Sequence, residues 1–141
     1  MPYLPEAPIP DLKDWISGEW WQRVKRHELT VQRCSACKTF RHPPSPICYV
    51  CRSFESEWVP VSGKGLIYSY TIAYHPPNPG FAQRVPYGVI LVELADGGKV
   101  RMLGNLLDTP VDQIKIGTPV EVVFDDISPE ITLPQWRRAT K

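Results

Sequence analysis

The first third of the chain has large apolar side chains at three- and four-residue steps, the spacing of one face of an α-helix. They are Leu12, Trp15, Ile16, Trp20 and Val24. Gly18 interrupts this run, and glycine weakens a helix interior. We therefore predict two short helices, with Ser17 as the N-cap of the second.

The pattern changes to alternation after residue 28. Residues 29–33 alternate apolar and polar side chains, which indicates a strand, and residues 39–42 are predicted to form a second short strand. Pro43, Pro44 and Pro46 come next and exclude a helix there. We expect a small hairpin in this part of the chain.

The C-terminal half is rich in predicted strands. They cover residues 66–74, 87–94, 99–106 and 120–124, with a weaker one near Ile131. The turn Asp96-Gly97-Gly98 joins the second to the third, and residues 110–114 have room for one helical turn before the fourth. Five strands with a helix between the third and fourth are typical of an OB-fold barrel.

Four cysteines lie in the middle segment as two C-x2-C pairs, separated by ten residues. They are Cys34, Cys37, Cys48 and Cys51. Each pair directs two sulfurs to one point, so the spacing predicts a closed, structural zinc site with one ion per chain. Iron in a similar site and a redox-active or disulfide pair are the alternatives.

These elements predict a mostly β fold with short N-terminal helices. We assign residues 1–28 to an N-terminal helical segment, 29–60 to a rubredoxin-like zinc ribbon and 61–141 to an OB-fold domain. Lys38 and Arg52 stand where zinc knuckles often have glycine. Their cationic side chains, with Arg33 and Arg41, either offset the charge of a four-thiolate zinc centre or bind an anion.

Charge argues against nucleic acid as a ligand. The formal net charge is +1, and residues 61–141 carry eight Lys/Arg and eight Asp/Glu, so the barrel has no basic excess to bind a phosphate backbone. Residues 89–92 form the longest apolar run, too short to cross a membrane. Residues 1–10 lack the basic and apolar regions of a secretory signal. We expect a cytoplasmic protein without a membrane-spanning segment.

The sequence contains no recognisable catalytic constellation. If zinc occupies all four thiols, the near-neutral bases are His27, His42 and His75, and none belongs to a triad or a metal motif. No glycine-rich phosphate-binding motif is present either. We expect no autonomous enzymatic activity.

An ordered set of motifs resembles a known family over nearly the whole chain. The motifs are GEWWQRV, HELTVQRCSACKTFRHPP, CYVC, SGKGLIYSYT, YGVILVEL, KIGTPVEVVF and LPQWRR. The chain is similar to the zinc-ribbon and OB-fold acyl-CoA-associated proteins, first catalogued as a domain of unknown function. The family's members are non-catalytic partners of thiolase-superfamily enzymes such as thiolases, aldolases and acyltransferases.

The resemblance implies an accessory subunit that binds a thiolase-superfamily protein and helps to form its acyl-CoA site. Our leading candidates for contacts with coenzyme A are Lys38, Phe40 and Arg41. The second-rank candidates, in the long loop between the first two barrel strands, are His75, Phe81 and Arg84, although Phe81 equally fits a barrel plug. The candidates for the partner interface are Trp15, Trp20 and Trp21. For Trp20 and Trp21, packing against the rest of the protein is the alternative interpretation.

A second function belongs to another class. A zinc ribbon followed by an OB-fold also occurs in single-stranded nucleic-acid-binding proteins, which stack bases on exposed aromatic rings. Tyr68, Tyr70 and Tyr74 are the candidate rings here. The balanced charge of residues 61–141 disfavours this alternative.

Overall fold

A computed structural model describes residues 8–139 of the chain. One α-helix, α1 (Gly18–Lys25), precedes strands β1 (Thr30–Cys34), β2 (Phe40–Arg41), β3 (Ser56–Pro60), β4 (Lys64–Ala73), β5 (Tyr87–Leu94), β6 (Arg101–Asn105), β7 (Pro119–Asp126) and β8 (Thr132–Arg138). Single 3-10 turns cover Pro79–Phe81 and Val111–Gln113. Within these described residues, no helix has the length and apolar character needed to cross a membrane.

The prediction of two N-terminal helices was wrong. Turns occupy residues 12–13 and 15–17, and only α1 is helical. The Asp14 carboxylate accepts the backbone N–H groups of Ile16 and Ser17, at 3.1 and 2.7 Å, which stabilises a turn in place of a helix. Ser17 stands at the N-cap position but makes no capping hydrogen bond, because its hydroxyl donates to Asp14 instead.

The middle segment forms a three-stranded antiparallel sheet in the order β2-β1-β3. The hairpin of β1 and β2 agrees with the prediction, whereas β3 was missed. This third strand pairs with β1 along its whole length, from Thr30 opposite Pro60 to Cys34 opposite Ser56. The indole Nε1 of Trp20 donates to the Thr30 carbonyl at 2.9 Å and so attaches α1 to this sheet.

The C-terminal half forms a five-stranded antiparallel sheet in the order β6-β5-β4-β7-β8. A parallel bridge between Leu106 and Trp136 brings its two ends together, as in a partly open barrel. The 3-10 turn Val111–Gln113 lies between β6 and β7, the third and fourth strands of this sheet. The predicted zinc ribbon followed by an OB-fold is confirmed.

One apolar core joins the two sheets and the helix. Its buried members include Trp20, Val24, Leu29, Val31, Ile67, Ile90, Val92, Leu94, Met102, Val120 and Trp136. The turn between β5 and β6 reaches the ribbon, where Gly98 has a φ of 75° and a Cβ at this position would meet Phe40 at 2.6 Å. Only glycine allows so close an approach in this conformation.

Candidate metal centre and ligand cleft

The four cysteine sulfurs converge on one point. All of them lie within 4.8 Å of one another, and the Cys34–Cys51 and Cys37–Cys48 sulfurs are 3.5 and 3.6 Å apart. A tetrahedral zinc ion with Zn–S bonds of about 2.3 Å separates its sulfurs by about 3.8 Å. The set therefore fits one zinc ion and offers four sulfur ligands, which leaves no open position for catalysis.

The two knuckles repeat the same backbone geometry. The N–H of Lys38 donates to the Cys34 carbonyl at 3.0 Å, and the N–H of Arg52 donates to the Cys48 carbonyl at 2.9 Å. Both residues are left-handed, with φ of 66° and 64°. The fold therefore keeps the glycine-type conformation at both positions although neither residue is glycine.

Backbone N–H groups favour the thiolate form of the buried cysteines. The pKa of Cys34 is lowered to about 6, mainly by the hydrogen bond that its sulfur accepts from the N–H of Cys37. The N–H of Cys51 likewise lowers the pKa of Cys48. Because the thiolate is the form that binds metal, these N–H groups favour metal binding at the two buried sulfurs. The pKa of Cys51 is instead raised to about 11, because the effect of the neighbouring sulfurs outweighs that of the Ser53 N–H.

Two cations near the first knuckle share one carboxylate. The side chains of Arg33 and Lys38 each contact Glu57 at 3.0 Å, and the hydrogen bond from Arg33, followed by that from Lys38, lowers the pKa of Glu57. Lys38 therefore faces β3, and it does not line either of the cavities that contain the other candidates. Arg52 is exposed at the second knuckle.

Two of the predicted coenzyme A contacts lie together. Phe40 and Arg41 line a cleft of about 530 Å³ between the ribbon and the β5–β6 turn. Arg41 is only 6% exposed, and its Nε and Nη2 donate to the Ser45 carbonyl at 3.3 and 2.9 Å. Lys99 and Arg101 from the barrel complete the cationic lining of this cleft.

The loop candidates occupy different places. His75 is exposed, whereas Arg84 is partly buried. Phe81 packs against Tyr87 with ring centroids 5.7 Å apart, and it lines a second cavity of about 700 Å³ on the outside of the sheet. Ile114, in contrast, is a buried core residue whose side chain packs closely over Gly88 of β5.

The three predicted interface tryptophans also differ in how far they are buried. Trp15 is 81% exposed, and Trp20 is a core residue. Trp21 is partly buried, packs edge-on against Trp20 at 4.8 Å and lines the 700 Å³ cavity. Trp15 is therefore largely exposed and Trp21 partly exposed, whereas Trp20 is buried.

Sequence reasoning missed Lys99, Arg101 and His42 as members of the site. The first two come directly after the glycine turn of the β5–β6 hairpin, and this turn was the available signal, since it brings the start of β6 close to the ribbon. His42 lines both cavities. No local pattern marks it, because its surroundings come from segments remote in sequence.

Comparison with known families agrees with this architecture in both halves. Residues 21–57 match the model described as ChsH2, rubredoxin-like zinc ribbon domain, and residues 58–125 match that of ChsH2, C-terminal OB-fold domain. A DUF35 domain-containing scaffold protein of Methanocaldococcus jannaschii is 34% identical over 80% of this chain and 79% of its own length. The chain belongs to the DUF35 family.

Other relatives are a longer protein and a chain of a solved assembly. A probable enoyl-CoA hydratase alpha subunit of Thermomonospora curvata is 46% identical over 85% of this chain, which spans only 36% of that protein's length. A solved structure titled Ltp2-ChsH2(DUF35) aldolase contains a chain with 42% identity and a TM-score of 0.81, covering 95% of this chain and 100% of that one.

Proposed function

We propose that this DUF35 protein is a non-catalytic accessory subunit that binds a thiolase-superfamily enzyme and helps to form its acyl-CoA site. One observation carries the proposal. A whole chain of the solved Ltp2-ChsH2(DUF35) aldolase has the fold of this protein, at 42% identity. The scaffold and hydratase-subunit names of other relatives support a role within an assembly.

The described residues support a role without chemistry of its own. Four sulfurs converge on one metal position, which removes the thiols as nucleophiles. The His27–Asp126 pair at 2.9 Å is exposed, and His27 stacks on Phe124. This pair joins the segment after α1 to β7, and the Asp126 carboxylate also accepts from the Thr132 hydroxyl of β8.

Acyl-CoA as the shared ligand is supported by the chemistry of the two cavities. The smaller one carries three cations suited to phosphates, namely Arg41, Lys99 and Arg101. The larger one is walled by aromatic and aliphatic side chains suited to an apolar group. The hydratase-subunit relative is likewise named for an acyl-CoA substrate.

A partner surface is available beside the metal centre. The second knuckle exposes Tyr49, Val50 and Phe54 on one short stretch, and Trp15 is exposed near α1. Aromatic residues at the surface are enriched where proteins bind one another. We assign one partner contact to Trp15 and a second to the exposed aromatic residues of the second knuckle, Tyr49 and Phe54.

Co-purification tests this proposal directly. The zinc-loaded chain would be co-expressed with thiolase-superfamily proteins encoded beside its gene, and complexes would be isolated through a tag on this chain. Trp15→Ser is expected to weaken the complex at least tenfold, since an exposed aromatic anchor is lost. Tyr74→Ser is the matched control, because Tyr74 is also largely exposed but lies in the loop after β4.

Two results would count against the proposal. A chain that co-purifies with no such enzyme, and changes the activity of none, has no accessory role of this kind. Turnover of acyl-CoA thioesters by the purified chain alone would show that it is an enzyme in its own right.

A further inference from the structure

Strand β6 is paired on only one side over most of its length. Within the described sheet, β5 is its one strand neighbour, and a single parallel bridge joins Leu106 to Trp136 of β8. The two strands are still close at Gly104, where an added Cβ would lie 3.2 Å from the Pro134 carbonyl oxygen. Residues 101–103 have no strand on this side in the described chain, and we call this stretch the open edge of β6.

The backbone of Arg101 and Leu103 points to the open edge. In an antiparallel pair, every second residue exchanges hydrogen bonds with its neighbour, and the residues between direct their N–H and C=O groups to the other side. The N–H of Leu94 donates to the Val100 carbonyl at 3.0 Å, so the even-numbered residues of β6 bond to β5. The N–H of Asn105, an odd-numbered residue, accordingly points away from β5 and donates to a β8 side chain at 2.7 Å.

The backbone groups of the open edge have no partner of their own. Within residues 8–139, no hydrogen bond involves the N–H or the C=O of Arg101 or Leu103. Unpaired N–H and C=O groups in a row are a template on which another chain can add a strand.

The opposite side of the gap is protected against such pairing, whereas the open edge is not. The Trp136 carbonyl accepts the N–H of Leu107 at 2.7 Å, so the even-numbered residues of β8 face the gap. Pro134 is one of them, and proline, which lacks an N–H, is a common means of preventing pairing at an edge. Strand β6 contains no proline, and its Leu103 is 62% exposed.

The side chains beside the open edge define the segment that fits. Arg101 and Leu103 share the outer face of the sheet, because Met102 between them is buried in the core. The guanidinium of Arg101 lies 3.7 Å from the centroid of the Tyr68 ring, which holds the charge on this face. The carboxylate near it, Glu93, lies 3.9 Å away on β5, on the paired side.

Charge therefore favours an acidic residue on the unpaired side. The cavity and the cleft that border Arg101 have no Asp or Glu in their described lining. Side chains directly opposite each other on neighbouring strands interact, so an added strand gains by placing an acid beside Arg101 and an apolar residue beside Leu103.

We propose that an extended segment of the partner enzyme adds a strand to the open edge of β6. Run antiparallel, like the rest of this sheet, the segment has an apolar residue beside Leu103 and, two positions later, an acidic residue beside Arg101. The N–H and C=O groups of both β6 residues then gain partners. That the segment belongs to the partner enzyme rests on the proposed function, whereas pairing at the open edge is a property of this chain.

A synthetic peptide tests the open edge without any enzyme. The probe is the acetylated and amidated peptide Thr-Thr-Val-Thr-Glu-Thr-Thr, and its affinity is measured by NMR titration of the isotope-labelled, zinc-loaded chain. We expect it to bind about fivefold more tightly than the same peptide with lysine in place of glutamate, because lysine repels Arg101.

Methylated peptides test whether the backbone makes the contact. Methylation of the valine and glutamate nitrogens removes the N–H groups that face the open edge, so we expect at least tenfold weaker binding. Methylation of the two threonine nitrogens next to the valine is the control, because those N–H groups point away from β6.

Amide hydrogen exchange shows where the peptide lies. In the free chain, the amides of Arg101 and Leu103 are expected to exchange faster than that of Met102, which bonds to β5. At nine-tenths saturation the peptide is expected to slow exchange at Arg101 and Leu103 about tenfold, because exchange then proceeds through the unbound tenth. Exchange at Met102 is expected to stay unchanged.

A proline at residue 103 tests the edge from the side of this chain. Leu103→Pro removes an N–H that faces the open edge and no hydrogen bond to β5, and we expect it to weaken the peptide at least tenfold. Leu103→Thr is the control, since it also removes the leucine side chain but keeps the N–H, and we expect about threefold weaker binding. Zinc content and thermal unfolding show whether both variants keep the fold.

Charge reversal at Arg101 does not depend on the proline variant. Arg101→Glu is expected to reverse the preference, so that the lysine peptide binds about fivefold more tightly than the glutamate peptide. Lys115→Glu is the control and is expected to leave the preference unchanged, because Lys115 is an exposed lysine outside both cavities.

The outcomes separate this inference from the proposed function. No binding of the glutamate peptide, or binding that Leu103→Pro and Arg101→Glu leave unchanged, would overturn the open edge as a docking site even if the chain co-purifies with a thiolase-like enzyme. In such a complex, at least tenfold weakening by Leu103→Pro but not by Lys115→Glu would support a partner segment at the open edge. A complex that neither Leu103→Pro nor Arg101→Glu weakens would refute that assignment and leave the proposed function intact.

Discussion

Replacing Arg52 by glycine is expected to stabilise the protein. Arg52 comes directly after the second cysteine of its knuckle and has a φ of 64°, the left-handed conformation that glycine adopts without steric conflict. Its N–H donates to the Cys48 carbonyl at 2.9 Å, so the turn fixes this conformation. The side chain is exposed, and no hydrogen bond or ion pair from it is described, so little packing is lost on its removal.

The magnitude is set by two opposing effects. A side chain in the left-handed region costs about 1 to 2 kcal/mol, which glycine avoids. Glycine in turn loses more backbone freedom on folding, a disadvantage of about 0.5 to 1 kcal/mol. The net gain is on the order of 0.5 to 1 kcal/mol, which raises the melting temperature of a chain of 141 residues by about 2 to 5 °C.

Thermal unfolding of Arg52→Gly, Arg52→Ala and the parent chain at equal free zinc measures this gain. Arg52→Ala is the control, since it removes the same charge but keeps the strained backbone conformation. Competition with a chelator would show whether the charge itself supports zinc binding, in which case both variants weaken it equally. A glycine variant no more stable than the alanine variant would refute the backbone argument.

Three further predictions concern the metal, pH and packing. Elemental analysis is expected to find one zinc per chain. Cys48→Ser, which removes a fully buried sulfur, is expected to abolish both zinc binding and the cooperative unfolding of the ribbon. Burial lowers the pKa of His42 from 6.5 to about 4, so the folded state binds this proton less tightly than the unfolded chain. The free energy of unfolding is then expected to fall by on the order of 3 kcal/mol as the pH falls from about 6.5 to 4. Urea unfolding at a series of pH values measures this loss, which His42→Gln is expected to reduce. Gly98→Ala is expected to lower the free energy of unfolding by at least about 2 kcal/mol, because the alanine Cβ would meet Phe40. Gly117→Ala is the control and is expected to lower it by about 1 kcal/mol, because Gly117 also has a positive φ but faces open space. Chemical denaturation measures both.

Local signals predicted the parts of the fold that depend on local geometry. The two C-x2-C pairs predicted the convergence of the four sulfurs, because a knuckle is a single turn. The Asp96-Gly97-Gly98 turn predicted the β5–β6 hairpin, since both glycines have positive φ. The alternation in β5 likewise predicted a strand with one face in the barrel.

Features that depend on remote partners were missed or misassigned. Strand β3 forms by pairing with the edge of β1 that β2 leaves free. The residues of β3, which end in Pro60, have only a weak strand signal of their own. Trp20 and Trp21 both line the larger cavity, yet only Trp20 is a buried core residue. The four-residue spacing of Trp20 and Val24 marked the buried face of α1, but it could not show that β1 and the barrel pack against that face.

The zinc site and the proposed ligand site are connected through one buried glutamine. Gln32 lies in β1, just before the first cysteine pair, and its side-chain amide both donates to the Ser45 carbonyl at 2.9 Å and accepts from the Ser45 N–H at 2.8 Å. Ser45 belongs to the segment between the two knuckles, and nearby residues of this segment, His42 and Pro43, line both cavities. The Ser45 carbonyl also accepts a hydrogen bond from the Arg41 side chain. Zinc bound by the four sulfurs would fix both ends of this segment. We therefore expect the metal to position the cavity wall that the segment forms, in addition to stabilising the ribbon.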